Sequence, residues 1–255
     1  MQKYFEILLL KVIALIFFPK NLITIKNVVR FSNYIIPEII FNNLKKKDGI
    51  AVISAGVGND LTFDIELQKA LKTNSYRLLD PTPTVKLAIS FLLKGEVPQY
   101  SFKTNSVLEI QSFLESVDYL PLGLGDNDTK LPMYAKNNSV NSSFMYIHGS
   151  DLQEDNEYVQ VVDVISIFRE YGIPDLFKLD IEGYGARVML RLLRCGKMPK
   201  LVLGELELFH IGKFFAQLYE ILLVFKVAED MGYEFIFYNS NKKPSIEFTM
   251  FLTDA

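Results

Sequence analysis

The chain has 255 residues, 49% of them hydrophobic and 22% charged, with a net charge of -3 at pH 7. That composition supplies the core of one large domain and lacks the basic excess of a nucleic-acid binder. Its two histidines, His148 and His210, are far apart, and Cys195 is its single cysteine, which excludes a histidine-rich metal centre, a cysteine-rich zinc site and an intramolecular disulfide. One cysteine fits a reducing compartment, so a cytoplasmic location is expected.

Residues 1–47 read as an N-terminal helical extension, and 48–255 as the domain proper. Residues 4–18 are strongly apolar, but Glu6 and Lys11 interrupt them, and the run is shorter than the roughly 20 residues that span a bilayer. Phe17, Phe18, Pro19 and Lys20 follow in place of a small-residue cleavage site, which disfavours a signal peptide. The expected role is a helix packed on the domain or on a partner subunit. Attachment to a membrane surface, aided by Lys20, Lys26 and Arg30, is the alternative. Ile35, Ile36, Ile39, Ile40 and Leu44 then recur at helical spacing before Lys45, Lys46 and Lys47.

At residue 50 the period changes. IAVI at 50–53 is a short β-branched run of the kind found in buried parallel strands, followed by Ser54, Ala55, Gly56, Val57, Gly58, Asn59 and Asp60. Asp60 is placed to cap a helix that continues through Leu61, Ile65 and Leu71. Residues 76–79 form the next strand, with Asp80 at its end before Pro81 and Pro83 stop it. Helices are predicted over 85–93 and 107–113, and a third strand over 119–124, ending at Gly125 and Asp126.

Residues 127–157 are rich in Asn, Ser, Asp and Lys and read as one long loop, placed to carry function. Ser142 and Ser143 offer hydroxyls there, and Asn127, Asn137 and Asn141 follow from an Asn-rich composition rather than from glycan acceptors. A helix over 162–171 leads to FKLDIEGY at 177–184. Here Lys178, Asp180 and Glu182 alternate with Leu179 and Ile181, so all three charges project from one strand face. Ionised groups are costly to bury unless paired or used, which puts them at a strand end that opens into a cleft, with Gly183 turning the chain. Beyond lie a helix over 186–193, whose Arg187, Arg191 and Arg194 read as a solvated face, a fifth strand over 201–206 and a long helix over 213–231. Strands at 234–238 and 246–252 are joined by so short a link that they must pair antiparallel.

Alternating strands and helices predict a doubly wound, mostly parallel sheet with an antiparallel C-terminal strand, binding its ligand outside the carboxyl ends of its strands. Gly56 and Gly58 allow close backbone approach, and Asp80 follows Gly58 by 22 residues, the distance at which a second strand presents an acid to ribose hydroxyls. A dinucleotide turn would place its third glycine where Leu61 stands, and no Gly-Lys-Ser/Thr phosphate cradle is present. S-adenosylmethionine has a nucleoside but no phosphate, and it tolerates Asp60 and Asp64 near the turn.

The segments GVGNDLTFD, LLDPTPTV, PLGLGD and DLFKLDIEGYG, in that order, resemble the FkbM family of S-adenosylmethionine-dependent methyltransferases, from about residue 50 to 252. The resemblance implies the class I methyltransferase (Rossmann-like) α/β fold, and methyl transfer to a hydroxyl oxygen of a glycan or small metabolite. It implies that Gly56, Gly58 and Asn59 line the methionine side of the cofactor, that Asp80 holds the ribose, that Asp126 beside Gly125 lies near adenine, and that Asp180 and Glu182 face the reacting centre. Ser54 stands where methyltransferases commonly carry an acid, which alters one cofactor contact. Tyr184, Gly185 and Ala186 stand where the family often has a further acid. Glu205, Glu207 and His210 resemble the family's acidic strand end followed by histidine.

The protein's task in such a reaction is to align the acceptor and remove its proton. Asp180 or Glu182 is the expected base, with Lys178 compensating charge. The same carboxylates are alternatively ligands for a divalent cation, or partners of Lys178 in an ion pair that only closes the sheet end. His210 is a second candidate base or donor, and His148 reads as solvated. Two competing functions stay open: a catalytically silent domain docked through its apolar N-terminus, kept alive by Ser54 and Gly185, and a nicotinamide-dependent oxidoreductase, which Leu61 disfavours.

Overall fold

Two short strands open the described chain, where the sequence had suggested helix. The computed structural model describes residues 27–96, 102, 106–135, 142–143, 158–207, 214–238 and 245–253. The apolar run at 4–18, Asn137, Asn141, His148 and His210 lie outside these residues. β1 (Val28–Phe31) and β2 (Tyr34–Pro37) pair antiparallel with Phe31 opposite Tyr34, so Ser32 and Asn33 alone make the turn. Ser32 takes a positive φ of 49° there, and its N–H donates to Glu66 Oε2 at 2.8 Å. α1 (Glu38–Lys45) starts directly after Pro37. The helical reading therefore holds for 38–45 but fails for 28–37. The isoleucines that suggested one helix belong to two elements: Ile35 and Ile36 are buried in β2, whereas Ile39 is 63% exposed on α1.

From there the chain alternates. β3 (Ile50–Ala55), α2 (Thr62–Ala70), β4 (Thr73–Leu79), α3 (Pro83–Leu93), α4 (Val107–Leu114) and β5 (Asp118–Leu120) form the first half of the domain. After them come β6 (Gly123–Gly125), β7 (Thr129–Pro132), β8 (Tyr134–Ala135), β9 (Ser142–Ser143) and β10 (Tyr158–Asp163). The second half is α5 (Val164–Tyr171), β11 (Leu176–Leu179), α6 (Gly185–Arg194), β12 (Leu201–Glu207), α7 (Phe214–Asp230), β13 (Glu234–Tyr238) and β14 (Ser245–Phe251).

The central sheet runs β13-β14-β12-β11-β3-β4-β5. β5, β4, β3, β11 and β12 are mutually parallel, and β14 inserts antiparallel between β12 and β13. The chain winds outward from β3 to β5, returns to β11 on the other side of β3, and winds outward again. That reversal is a topological switch point, where doubly wound sheets bind their ligands. Two apolar layers cover the sheet. Ile53, Leu79, Phe177 and Phe248 pack beneath α5, α6 and α7, and Val52, Leu78 and Leu203 pack beneath α2, α3 and the hairpin, which contributes Ile36.

Two further boundaries differ from expectation. The predicted third strand is broken: β5 joins the central sheet, and after Pro121 the chain leaves it, so that β6 pairs parallel with β10 in a separate sheet that also holds β7. The helix expected from residue 162 starts at Val164, because Asp163 caps it by accepting the Ile165 N–H at 2.9 Å. The residues before it form β10, whose burial alternates along 158–163, a period-two signal masked by the polar stretch that precedes it.

Candidate active site

The end of β3 and the end of β11 meet at the switch point. Gly56 takes φ +82° and donates its N–H to Leu79 O at 2.9 Å, while the Asp180 N–H donates to Ala55 O at 2.9 Å. A Cβ on Gly56 would stand 1.7 Å from the Asp180 carbonyl oxygen, so no other residue fits this contact. Gly58 is a glycine for a different reason. It has φ +57°, and a Cβ there would meet nothing within 4 Å, so the turn is open on that side.

The turn is shaped by Asp80 at the end of β4. Asp80 Oδ2 accepts the N–H groups of Val57 and Gly58 at 2.9 and 2.8 Å, and Oδ1 accepts the Thr82 N–H at 2.8 Å. Asp80 is only 3% exposed. A carboxylate oxygen has two lone-pair sites, so Oδ2 is filled by the turn and Oδ1 keeps one site. Asn59 is half-buried in the same turn. Asp60 Oδ1 accepts the Thr62 N–H at 3.0 Å, but the cap position expected for Asp60 falls one residue later, at Leu61.

Lys178 is 4% exposed yet satisfied. Its Nζ donates to Gly56 O at 2.7 Å and lies 3.7 Å from Asp180 Oδ2. The fully buried Asp64, which interacts with Lys178 through its charge, accepts the Tyr76 hydroxyl at 2.8 Å. Burial pushes the Asp64 carboxyl up from its ordinary range, and Lys178, Ser54 and Tyr76 partly offset that rise. Ser54 stands beside Lys178 in the sheet register. Its Oγ faces Asp64, although neither it nor Asp64 Oδ2 makes a hydrogen bond of good geometry among the described residues. The buried lysine is thus held by the Gly56 carbonyl and Asp180, with the charge of Asp64 acting on it as well, which is how the fold accommodates a charge inside an apolar strand.

β11 ends at Leu179, so Asp180 lies at its mouth with a side chain 34% exposed. Glu182 follows in a turn that Gly183 closes at φ +75°, and the single-face alternation expected of the three charges stops before Glu182. Asp180 Oδ2 accepts the Tyr34 hydroxyl at 2.8 Å. Burial pushes the Tyr34 phenol well up, and the neighbouring Asp180, Tyr238 and Glu205 act in the same direction. Tyr34 is therefore a protonated donor throughout the neutral range.

The remaining candidates lie around this centre. Gly125 ends β6, where a Cβ would come within 2.6 Å of Val161, so its size is set by packing against β10. Asp126 Oδ1 is 3.4 Å from the Tyr184 hydroxyl. On β12, Glu205 pairs in register with Glu247 of β14, and Glu207 lines a narrow cleft with Gly183, Gly185 and Gln217. Ser54, Gly56, Gly58, Asp80, Lys178 and Asp180 are thus gathered at one point, while Gly125 and Asp126 come from the separate sheet. Among the described residues no group of three or more His, Cys, Asp or Glu is arranged to hold a metal ion. Of the arginines expected on a solvated face, Arg194 is exposed, Arg191 makes a two-point contact with Asp163, 2.6 Å at its shortest, and Arg187 lies over the Tyr184 ring. Sequence reasoning missed Tyr34, whose signal was a two-residue turn between β-branched runs, and Asp64.

The strand order, with an antiparallel β14 set between β12 and β13, is that of a class I methyltransferase sheet. The family model of the methyltransferase FkbM domain matches residues 32–235, and the chain belongs to that family. Family and fold together imply S-adenosylmethionine as methyl donor. Similar solved structures include a precorrin-6y C5,15-methyltransferase from Geobacter metallireducens GS-15, at 10% identity and TM-score 0.40, covering 88% of this chain and 94% of that one. An O-methyltransferase family protein from Burkholderia thailandensis is similar at 10% identity and TM-score 0.38, covering 84% of this chain and 56% of that one. No curated protein matches the sequence. Among the described residues no helix is long and apolar enough to cross a membrane.

The site suits the donor's chemistry. The turn is open over Gly58, Asp80 Oδ1 retains an acceptor site, and Asp60, Asp80 and Asp180 give the mouth a negative character suited to a sulfonium and an ammonium. Lys178, the cation at this point, is turned inward onto Gly56 O.

Proposed function

We propose that the protein methylates a hydroxyl oxygen of a glycan or small metabolite, with Asp180 as the general base. The observation that carries this reading is the state of the Asp180 carboxylate. Oδ2 is engaged by Tyr34 and Lys178, whereas among the described residues Oδ1 accepts no hydrogen bond. A half-held carboxylate at the switch point has one oxygen fixed and the other left for an incoming hydroxyl.

The cofactor supplies, when bound, a methyl group on a positively charged sulfur. Gly56, Gly58 and Asn59 would line its amino-acid portion, and Asp80 Oδ1 would accept from its ribose. Asp180 Oδ1 would take the acceptor's proton. Lys178 keeps Asp180 oriented and offsets its charge. Glu182, in the turn beyond, and His210 are further contributors to the acceptor side on this reading.

The test uses the full chain, methyl-labelled S-adenosylmethionine and a panel of glycosides and hydroxylated small molecules, with label followed into product by mass spectrometry. The reading expects label in an alkali-stable methyl ether. Transfer of label only to carbon or nitrogen would overturn the assignment to oxygen.

A further inference from the structure

We infer that Tyr34, carried by the hairpin that precedes the sheet, is a positioning residue for Asp180. Its hydroxyl fixes Oδ2 and so presents Oδ1 to the acceptor. This inference rests on the reading of Asp180 as the base.

The geometry argues for a dedicated contact. Tyr34 is 7% exposed, and a buried phenol needs a hydrogen-bond partner. Its partner is neither backbone nor a neutral side chain but the Asp180 carboxylate at the mouth of the switch point, 146 residues away in sequence. Packing alone would be met by phenylalanine, because the ring already sits edge-on to Phe63 at 4.9 Å.

The hairpin is held so that the hydroxyl has little freedom. The Thr249 hydroxyl donates to Ile35 O from β14, the Glu38 N–H donates to Asn27 O at 3.0 Å, and the Ser32 N–H is tied to Glu66 of α2. Those ties come from three different elements, and they fix Tyr34 before any ligand arrives, which is what orientation by a neighbouring group requires. Around the Tyr34–Asp180 pair stand Lys178 from β11, Asp64 from α2, Glu205 from β12 and Tyr238 from β13.

The experiment is a carbon-13 NMR comparison, at one neutral pH, of full-length protein labelled at the aspartate carboxyl carbons. The Asp180 resonance is identified by its absence in D180N, and the intact chain is compared with Tyr34→Phe. Phenylalanine keeps the ring and its contact with Phe63, so the fold is retained. Tyr34→Phe takes the hydrogen-bond donor from Oδ2, so it should displace the Asp180 carboxyl resonance further than any other aspartate resonance. An Asp180 resonance at the same position in the two proteins would overturn the inference. Calorimetry with S-adenosylhomocysteine is run alongside. If the intact chain fails to bind it, the methyltransferase reading fails, while the carboxyl resonance still decides whether Tyr34 holds Asp180.

Discussion

The carbonyl oxygen of Asp180 occupies the place where a side chain on Gly56 would have to begin, 1.7 Å from the ideal Cβ position. The glycine turn and the charged strand are thus joined backbone to backbone, and the site depends on that junction. Gly56→Ala should separate β3 from β11, costing more than about 4 kcal/mol, the range of severe backbone and packing defects. It should also abolish S-adenosylhomocysteine binding. Gly58→Ala meets open space and carries only the left-handed backbone cost of about 1 kcal/mol. Urea denaturation of the two variants checks the contrast, and an unchanged midpoint for Gly56→Ala would refute it.

Asp80 and Asp180 should divide their labour. Asp80→Ala strands three backbone donors and removes the acid from the turn, so cofactor affinity should fall by at least about tenfold, the equivalent of one lost charged hydrogen bond. Asp180→Asn keeps the shape of the side chain and should leave affinity nearly unchanged while turnover drops about 100-fold, the usual worth of a general base. Equal losses of binding in both variants would contradict the division.

The local parts of this site were legible in the sequence because each is a short pattern. A β-branched run followed by GVG, an acid 22 residues on and the KLDIEG segment placed Gly56, Gly58, Asp80, Lys178 and Asp180 without any long-range information. Register and partner choice were not legible. Residues 35, 36, 39, 40 and 44 satisfied a helical spacing although the first two lie in β2 and the others in α1, and nothing local says that Tyr34 will reach Asp180. Pro121 marked the break between β5 and β6, but not that β6 would leave the sheet to pair with β10. Lys178 looked like an anomaly of burial because its second partner, Asp64, comes from α2 and had been read only as a tolerated acid near the turn.

Asp163 joins the end of β10 to the start of α5, and its charge should be visible in acid. Its carboxylate caps α5 and pairs with Arg191 of α6, while its N–H donates to Asp128. Burial opposes ionisation, but the Arg191 hydrogen bonds, the Ile165 N–H and the charges of Arg191 and Arg169 prevail and hold the carboxyl below its ordinary range. A depressed folded-state value means a contribution present above the unfolded aspartate range, near about pH 4, and lost as pH falls through the lower folded value. Asp163→Ala should cost about 1 kcal/mol at neutral pH from the lost cap alone. The difference from the intact chain should shrink below about pH 4. Thermal melts across pH 3–7 measure it, and a constant difference would count against the assignment.

The buried phenols should stay silent in the neutral range. Burial raises Tyr233 to about 12, and burial also raises Tyr34, Tyr76 and Tyr238. Ultraviolet titration should therefore show these tyrosines ionising only with alkaline unfolding. A phenolate signal from Tyr34, assigned by its loss in Tyr34→Phe, near the ordinary value of about 10 would show that the hydroxyl is not held against Asp180.

The central claim is that the open turn over Gly58, set between Asp80 and Asp180, is the cofactor site of a methyltransferase. Titration of S-adenosylhomocysteine into the full-length protein tests it most directly. The account predicts saturable one-to-one binding in the micromolar range usual for enzyme substrates, weakened by Gly58→Ala and Asp80→Ala and kept by Asp180→Asn. No binding up to about 1 mM, the upper end of that range, would contradict it.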